Sequence, residues 1–280
     1  MTLAADNFPS LRFGIVQGRL IQCPPGYLQW FPQERWRDEF SLSAKLGIDF
    51  VELIAEVQHN PDNPLWSDAG IDEIKSLVSE NGLSLHALCN DYIVEHTLPG
   101  DGEVLQQNLD LVAQGAKLGV EKLILPLFDS SELAPDNIDV YVEPLREIAD
   151  AAHDAGMVTC LETIFTGAEL IDLLDRLDRP HIKVVYDTGN RIAFGHDLAG
   201  DIRLLGNRIA HVHIKDKNAD NQNVLLGTGL VNFAEVFRAI HDINYQGPYT
   251  FETQRGHDPL RTAVYNMNLT TFFFEEGRSG

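Results

Sequence analysis

Val184–Asn190 reads VVYDTGN, an apolar run that stops on an acid and is followed two residues later by glycine. A strand built to be buried gains nothing from ending on a carboxylate, and Asp before Thr-Gly is by itself ordinary turn chemistry. The same punctuation recurs along the chain. Short β-rich runs begin at Arg12 (RFGIVQG), Asp49 (DFVELI), Leu83 (LSLHAL), Lys122 (KLILPL), Val158 (VTCLET), Lys183 (KVVYDT), Ile209 (IAHVHIK) and Pro248 (PYTFET). Amphipathic segments separate them. Leu145, Ile148, Ala149 and Ala152 form one stripe at helical spacing, and Ile71, Ile74, Leu77 and Val78 form another.

The residues between the runs agree with this alternation. TGAE (Thr166, Glu169) and NFAE (Asn232, Glu235) have capping-box spacing, the second with Asn in place of Ser or Thr. Asn81-Gly82, Gly119 and Gly156 stand where helices must stop before the next strand, and Asp258-Pro259 opens the last helix. Eight strands alternating with eight helices predict a (β/α)8 TIM barrel, with an open doubly wound sheet as the competitor. The sheet is disfavoured because no G-x-G-x-x-G follows the first strand and no G-x-x-x-x-G-K occurs. No linker or low-complexity tract divides the chain, so residues 1–280 are read as one domain.

Bulk composition narrows the partners. The 280 residues are 44% hydrophobic, enough for a substantial core, and carry a formal charge of -21. That field opposes nucleic acid and anionic membrane, so neither is expected as a partner. No run approaches the roughly 18 apolar residues of a membrane span. The opening MTLAADNFPS lacks the basic and apolar regions of a signal peptide, which makes a cytoplasmic address the default. Cys23, Cys89 and Cys160 are odd in number and far apart, fitting neither a disulfide framework nor a Cys-x-x-Cys metal site.

In a barrel the carboxyl ends of the strands hold the chemistry. Those ends carry Glu52, Glu162, Asp187, His213 and Glu252, each in an otherwise apolar run. The fifth to eighth strands each aim one ligand-type side chain at the same rim. Three carboxylates packed together repel and are costly to desolvate, so they need a cation or must take up protons. One divalent metal ion resolves the conflict. Three oxygens and an imidazole nitrogen form a mixed set that favours Mn2+ and also accommodates Mg2+, Co2+ or Zn2+.

At this point the chain resembles the xylose-isomerase-like barrels, specifically the sugar and sugar-phosphate isomerases and epimerases. The resemblance runs through LET at Glu162, YDTGN at Asp187, HVHIKD at His213, GTGLVNF at Gly227 and YQGPYTFET ending at Glu252. From Asp187 onward it is most similar to L-xylulose 5-phosphate 3-epimerases, while the tetrad is also that of tagatose-type ketose 3-epimerases. The resemblance implies that Glu162, Asp187, His213 and Glu252 bind the metal, and that Glu162 and Glu252 double as acid and base. The chemistry supports that double role. A proton α to a ketone is too weakly acidic for an unaided carboxylate, so a preplaced cation must stabilise the enediolate. With a carboxylate on each side, one removes the C3 proton and the other returns it to the opposite face. An aldose-ketose isomerase needs only a shift of the transfer to C1 and C2.

A small-molecule carbohydrate is therefore the expected substrate, with several further residues as candidates to bind it. Glu52 either binds sugar hydroxyls or holds a ligand in place. His211 shares a face with His213 one layer below, as a hydrogen-bonded core histidine or a second contact. Asn190 stands where tagatose-type epimerases have a substrate-contacting histidine, whereas the xylulose-phosphate epimerases resemble this chain in having GN. Lys215 is a candidate for a substrate oxygen or phosphate, or for a salt bridge. Arg19, Arg191, Lys217, Arg255 and His257 follow strand ends, and any two can clamp a phosphate. The aromatic first loop, RLIQCPPGYLQWFPQERW, reads as a lid over the sugar, as packed structure or as the contact of a homo-oligomer.

Two rival activities share the barrel. Apurinic endonucleases need three zinc ions, and the places of their extra ligands read Asn190 and NADNQNV here, which together with the acidic charge argues against DNA repair. A metal-dependent dehydratase of the inosose or dehydroshikimate type begins with the same α-proton abstraction and then expels water. A catalytically silent sugar-binding protein has no need of a complete tetrad.

Overall fold

Strands that are apolar on both faces must be covered on both, which a parallel sheet wrapped in helices provides. The computed structural model describes residues 11–278; MTLAADNFPS, read above for a leader, lies outside them. All eight runs form strands: β1 (Phe13–Val16), β2 (Phe50–Ala55), β3 (Ala87–Asn90), β4 (Lys122–Pro126), β5 (Val158–Glu162), β6 (Ile182–Asp187), β7 (Ile209–Ile214) and β8 (Tyr249–Phe251). They pair in parallel in sequence order, and β1 returns to pair with β8, which closes the expected (β/α)8 barrel. No helix of the described residues is long and apolar enough to cross a membrane.

The helix boundaries follow the predicted chemistry. Thr166 and Glu169 make a reciprocal capping box at the start of helix Gly167–Leu177. Asn232 accepts the amide of Glu235, and Asp258 accepts those of Leu260 and Arg261 ahead of a helix opening on Pro259. Besides the eight helices that cover the barrel, two short ones, Tyr92–Glu95 and Thr188–Ala193, lie in the loops after β3 and β6. Period alone misses them because a single turn carries too few residues to show a stripe.

The third strand differs from its sequence reading. It starts at Ala87 rather than Leu83 and ends at Asn90. Residues 83–86 climb from the preceding helix with isolated bonds such as Ser84 N to the Asp49 carbonyl, and regular pairing begins only opposite Leu53. The shift carries Asp91 to the mouth of the barrel. Glu52 moves the other way: it lies inside β2, opposite Val16, with three strand residues beyond it.

The lumen is filled in layers. Phe50 lies across Gly14, whose missing side chain makes the room: a Cβ there would sit 2.2 Å from the ring. The Phe50 ring contacts His86 at 4.7 Å, and His86 in turn stacks on His211 at 5.7 Å. Lys122 ties the lower end, donating to the Ala210 carbonyl at 2.6 Å. Gly14→Ala is expected to lower stability by about 1–3 kcal/mol through overpacking; a urea midpoint equal to that of the parent protein would refute the close approach.

Candidate metal centre

The acid that ends VVYD has two tasks. Asp187 Oδ1 accepts the Asn190 amide at 2.6 Å and so caps helix Thr188–Ala193. Its Oδ2 turns the other way, into the barrel mouth, where it is buried and met by the Lys215 ammonium at 3.1 Å. Capping the following turn thus aims the second oxygen.

Glu162 from β5, His213 from β7 and Glu252 just past β8 meet it there. One donor atom from each of the four residues lies within 4.8 Å of every other. His213 decides what the cluster requires. Its Nε2 is 3.0 Å from Glu52 Oε1, which holds the ring proton on that nitrogen and leaves the Nδ1 lone pair facing inward. Nδ1 is buried without a hydrogen-bond partner and lies 3.3 Å from Glu252, 3.6 Å from Glu162 and 4.0 Å from Asp187. A lone pair among carboxylate oxygens is repelled unless a proton or a metal ion sits between them. Without a metal, protons do the work. Burial opposes charge on His213, but Glu52, Glu252 and Glu162 outweigh it and raise the imidazole well above its ordinary value. Burial, opposed by His213 and reinforced by Glu252 and Asp187, pushes the Glu162 carboxyl up to about 8. Burial also works against Glu252, yet Lys215, His213 and Arg19 hold it well below the usual carboxylate range.

Charge counting points to a divalent ion. Lys215 Nζ sits 2.7 Å from Glu252 Oε2 and 3.1 Å from Asp187 Oδ2, so three carboxylates face one ammonium and two negative charges remain. Behind them, Glu52 beneath His213 and Arg19, at 3.4 Å from Glu252, offset each other. The donor set and the residual charge therefore fit one divalent cation bound through Glu162, Asp187, His213 and Glu252.

A family model, the xylose isomerase-like TIM barrel, matches residues 40–270. The chain belongs to that family. The L-ribulose 3-epimerase of a Methylomonas species is 32% identical over 228 residues, covering 75% of this chain and 76% of that protein. The probable L-ribulose-5-phosphate 3-epimerase of Mycoplasma pneumoniae is 24% identical over 247 residues, covering 83% of this chain and 81% of that one. Among solved structures, D-psicose 3-epimerase from Clostridium cellulolyticum, determined with D-tagatose, gives a TM-score of 0.75 at 22% identity over 94% of this chain and 99% of that one. That last likeness speaks for the fold alone. The two sequence relatives are epimerases, which favours that reading over a dehydratase.

In this member of the xylose isomerase-like family the remaining candidates separate. A cavity of about 180 Å³ opens over the cluster, and Glu52, Asn190, Glu162, His213 and Glu252 all reach its wall. Asn190 donates to Glu162 Oε1 at 2.8 Å and accepts from Lys215 at 3.3 Å, which fixes its amide between a ligand and the ammonium. Glu52 serves mainly as a clamp: it is fully buried, and its second oxygen takes His211 Nε2 at 2.7 Å. Burial pushes the Glu52 carboxyl up, but His213 and His211 outweigh it and hold it at about 2.

His211, Lys215 and Arg255 do not line the cavity. His211 is a core histidine between Glu52 and Thr250, and Lys215 is held by Asp187 and Glu252. Arg255 holds the first loop, donating to the carbonyls of Gly18 at 2.7 Å and Leu28 at 2.8 Å. Arg19 reaches the same Leu28 carbonyl at 2.7 Å, and Glu39 accepts the Gly18 amide at 2.7 Å. Gly18, at φ +86°, makes the turn that brings Trp30 close, and a Cβ added there would sit only 2.0 Å from the Trp30 carbonyl oxygen. The end of the aromatic loop is packed, with Phe31 and Trp36 buried and Gln29 delivered to the cavity wall, while Tyr27 and Leu28 at its tip are exposed. Gln29, Cys89 and Asp91 also line it and escape the sequence reading. Ending the third strand at Leu88 hides Asp91, although Asn90-Asp91 repeats the polar stop seen at the other strand ends.

Two outcomes follow from this geometry. Metal binding must displace protons from Glu162 and His213, whose affinities for them are raised, so affinity for Mn2+ is expected to climb by about tenfold per pH unit per proton as pH approaches 8. Calorimetry of the metal-free protein near pH 7 in buffers of different ionisation enthalpy reads that release, and identical heats would refute it. Glu52→Gln leaves His213 without a carboxylate acceptor and is expected to weaken Mn2+ binding by about 10- to 100-fold; an unchanged dissociation constant would show that Glu52 does not orient the ligand.

Proposed function

We propose that this protein is a divalent-metal-dependent ketose 3-epimerase, with Mn2+ as the ion that best suits three carboxylate oxygens and one imidazole nitrogen. The observation that carries the reading is that donor atoms of Glu162, Asp187, His213 and Glu252 lie within 4.8 Å of one another, three of these residues lining one cavity, with the His213 lone pair turned inward. The names of the two sequence relatives support the same reaction type.

Held by Glu162, Asp187, His213 and Glu252, the ion would supply the positive charge that makes a proton α to a carbonyl easier to remove. The protein supplies the rest. Glu162 ends β5 and Glu252 follows β8, so a sugar lying over the cluster would have a carboxyl on either side of its carbon skeleton. Their surroundings push their proton affinities apart, Glu162 upward and Glu252 downward, which prepares one group to hold a proton while the other accepts one. Abstraction by one carboxyl and return by the other inverts C3. Asn190 steadies Glu162 through its amide, and Lys215 holds Glu252 in the orientation that faces the cavity. The apolar wall of Val16, Val57, Val94, Pro126 and Phe128 limits water around the reacting carbons. The three free cysteines suit a reducing compartment, and we read the protein as cytoplasmic.

The test is solvent exchange. Mn2+-loaded protein incubated in D2O with a panel of ketoses should introduce deuterium at C3. Entry at C1 would instead identify an aldose-ketose isomerase, and no exchange with any ketose would sink both. Glu162→Gln should keep sugar binding and lose about 10²- to 10⁴-fold of the exchange rate; near-normal turnover would remove Glu162 from the proton transfer.

A further inference from the structure

The two sequence relatives divide between an epimerase named for a free ketose and one named for a ketose phosphate. We infer that this cavity takes a ketose with a free terminal hydroxymethyl group and rejects its phosphate ester, with Asp91 as the residue that discriminates. The inference rests on the epimerase reading and names the substrate class of the same site.

The cavity wall carries no lysine or arginine: its ionisable members are Glu52, Asp91, Glu162, Glu252, His213 and Cys89. A phosphate dianion needs cationic or amide donors to replace its water. The basic residues near the strand ends are committed elsewhere. Arg19 and Arg255 are buried against carbonyls of the first loop, and Lys215 is spent on Asp187 and Glu252. Arg191 donates to the Phe165 carbonyl and packs 4.7 Å from the Tyr186 ring. Lys217 turns to Asn221 at 2.8 Å, and His257 is exposed and off the wall.

Asp91 gives the wall a positive preference as well. It precedes helix Tyr92–Glu95 but makes no side-chain cap, so its carboxylate turns to the cavity instead. Oδ2 accepts from Gln29 Nε2 at 2.9 Å, and Oδ1 faces Cys89 Sγ at 3.3 Å. Gln29 is itself fixed by Arg19 at 2.8 Å, so the carboxylate is held from behind. An ionised carboxylate offers about four lone-pair sites, and two of these remain for sugar hydroxyls. The same oxygens repel an ester phosphate, because like charges are brought together with no cation on the wall between them.

The experiment compares free ketopentoses and ketohexoses with their terminal phosphates on the Mn2+-loaded protein, by C3 exchange and by calorimetric binding. Each ester is expected to have a kcat/KM at least ~100-fold below that of its parent sugar. Asp91→Asn should raise KM for the free ketose about tenfold with kcat within about threefold, and should narrow the ratio between sugar and ester. Asp91→Ser, smaller and uncharged, is the second variant should Asp91→Asn fold poorly, and the ratio in the unaltered protein needs neither. An ester turned over better than its parent overturns the selectivity and leaves the epimerase reading standing. Loss of all C3 exchange sinks the epimerase reading; the binding arm then decides the selectivity, and an ester that binds as tightly as its parent overturns it. Unchanged KM and ratio in both variants would remove Asp91 as the discriminating residue.

Discussion

The architecture turns on one unfavourable contact: an imidazole lone pair and three carboxylates held within 4.8 Å of one another in a largely buried barrel mouth. Such a group of donors repels itself, and only cationic charge at its centre makes it stable. Lys215 supplies part of that charge from the side, and protons on His213 and Glu162 supply more when no metal is bound. A divalent ion would do the same work. The proposed metal binding and the proposed proton transfer thus share one electrostatic origin.

Several features of the fold act to hold that contact in place. The turn after β6 uses one oxygen of Asp187 as a helix cap, which leaves the other no choice of direction. Glu52 sits a layer below and takes one nitrogen from each of two histidines, so the tautomer of His213 is set from within the core. Below it His211, His86 and Phe50 stack down to the gap left by Gly14. The metal-facing nitrogen is thus the top of a packed column, and its position is as rigid as the barrel's interior. At the mouth, Arg19 and Arg255 bind the first loop by its carbonyls and place Gln29 beside Asp91. Two arginines that sequence position alone offers to a phosphate are consumed in building the wall.

Alternating periodicity, glycine stops and capping residues were enough to read a closed eight-stranded barrel, because each strand and helix advertises itself locally. The tetrad was also legible, since one polar residue at the end of each of four consecutive apolar runs has no structural motive. Side-chain alternation then put all four on one face. What the sequence could not reveal was the partner of each polar group. Glu52 looks like a strand end facing the substrate, and only the pairing of β2 with β1 sinks it a layer into the lumen, under His213. Arg255 and Lys215 look like free cations until the fold brings a carbonyl or a carboxylate to them. Asp91 was hidden by a two-residue shift in the end of β3, a register that depends on where β2 offers hydrogen bonds rather than on the composition of residues 83–90. Local sequence determined which elements form and which residues are polar; the closed sheet decided which of those polar residues meet, because contacts across a barrel join positions more than a hundred residues apart whose proximity no local pattern encodes.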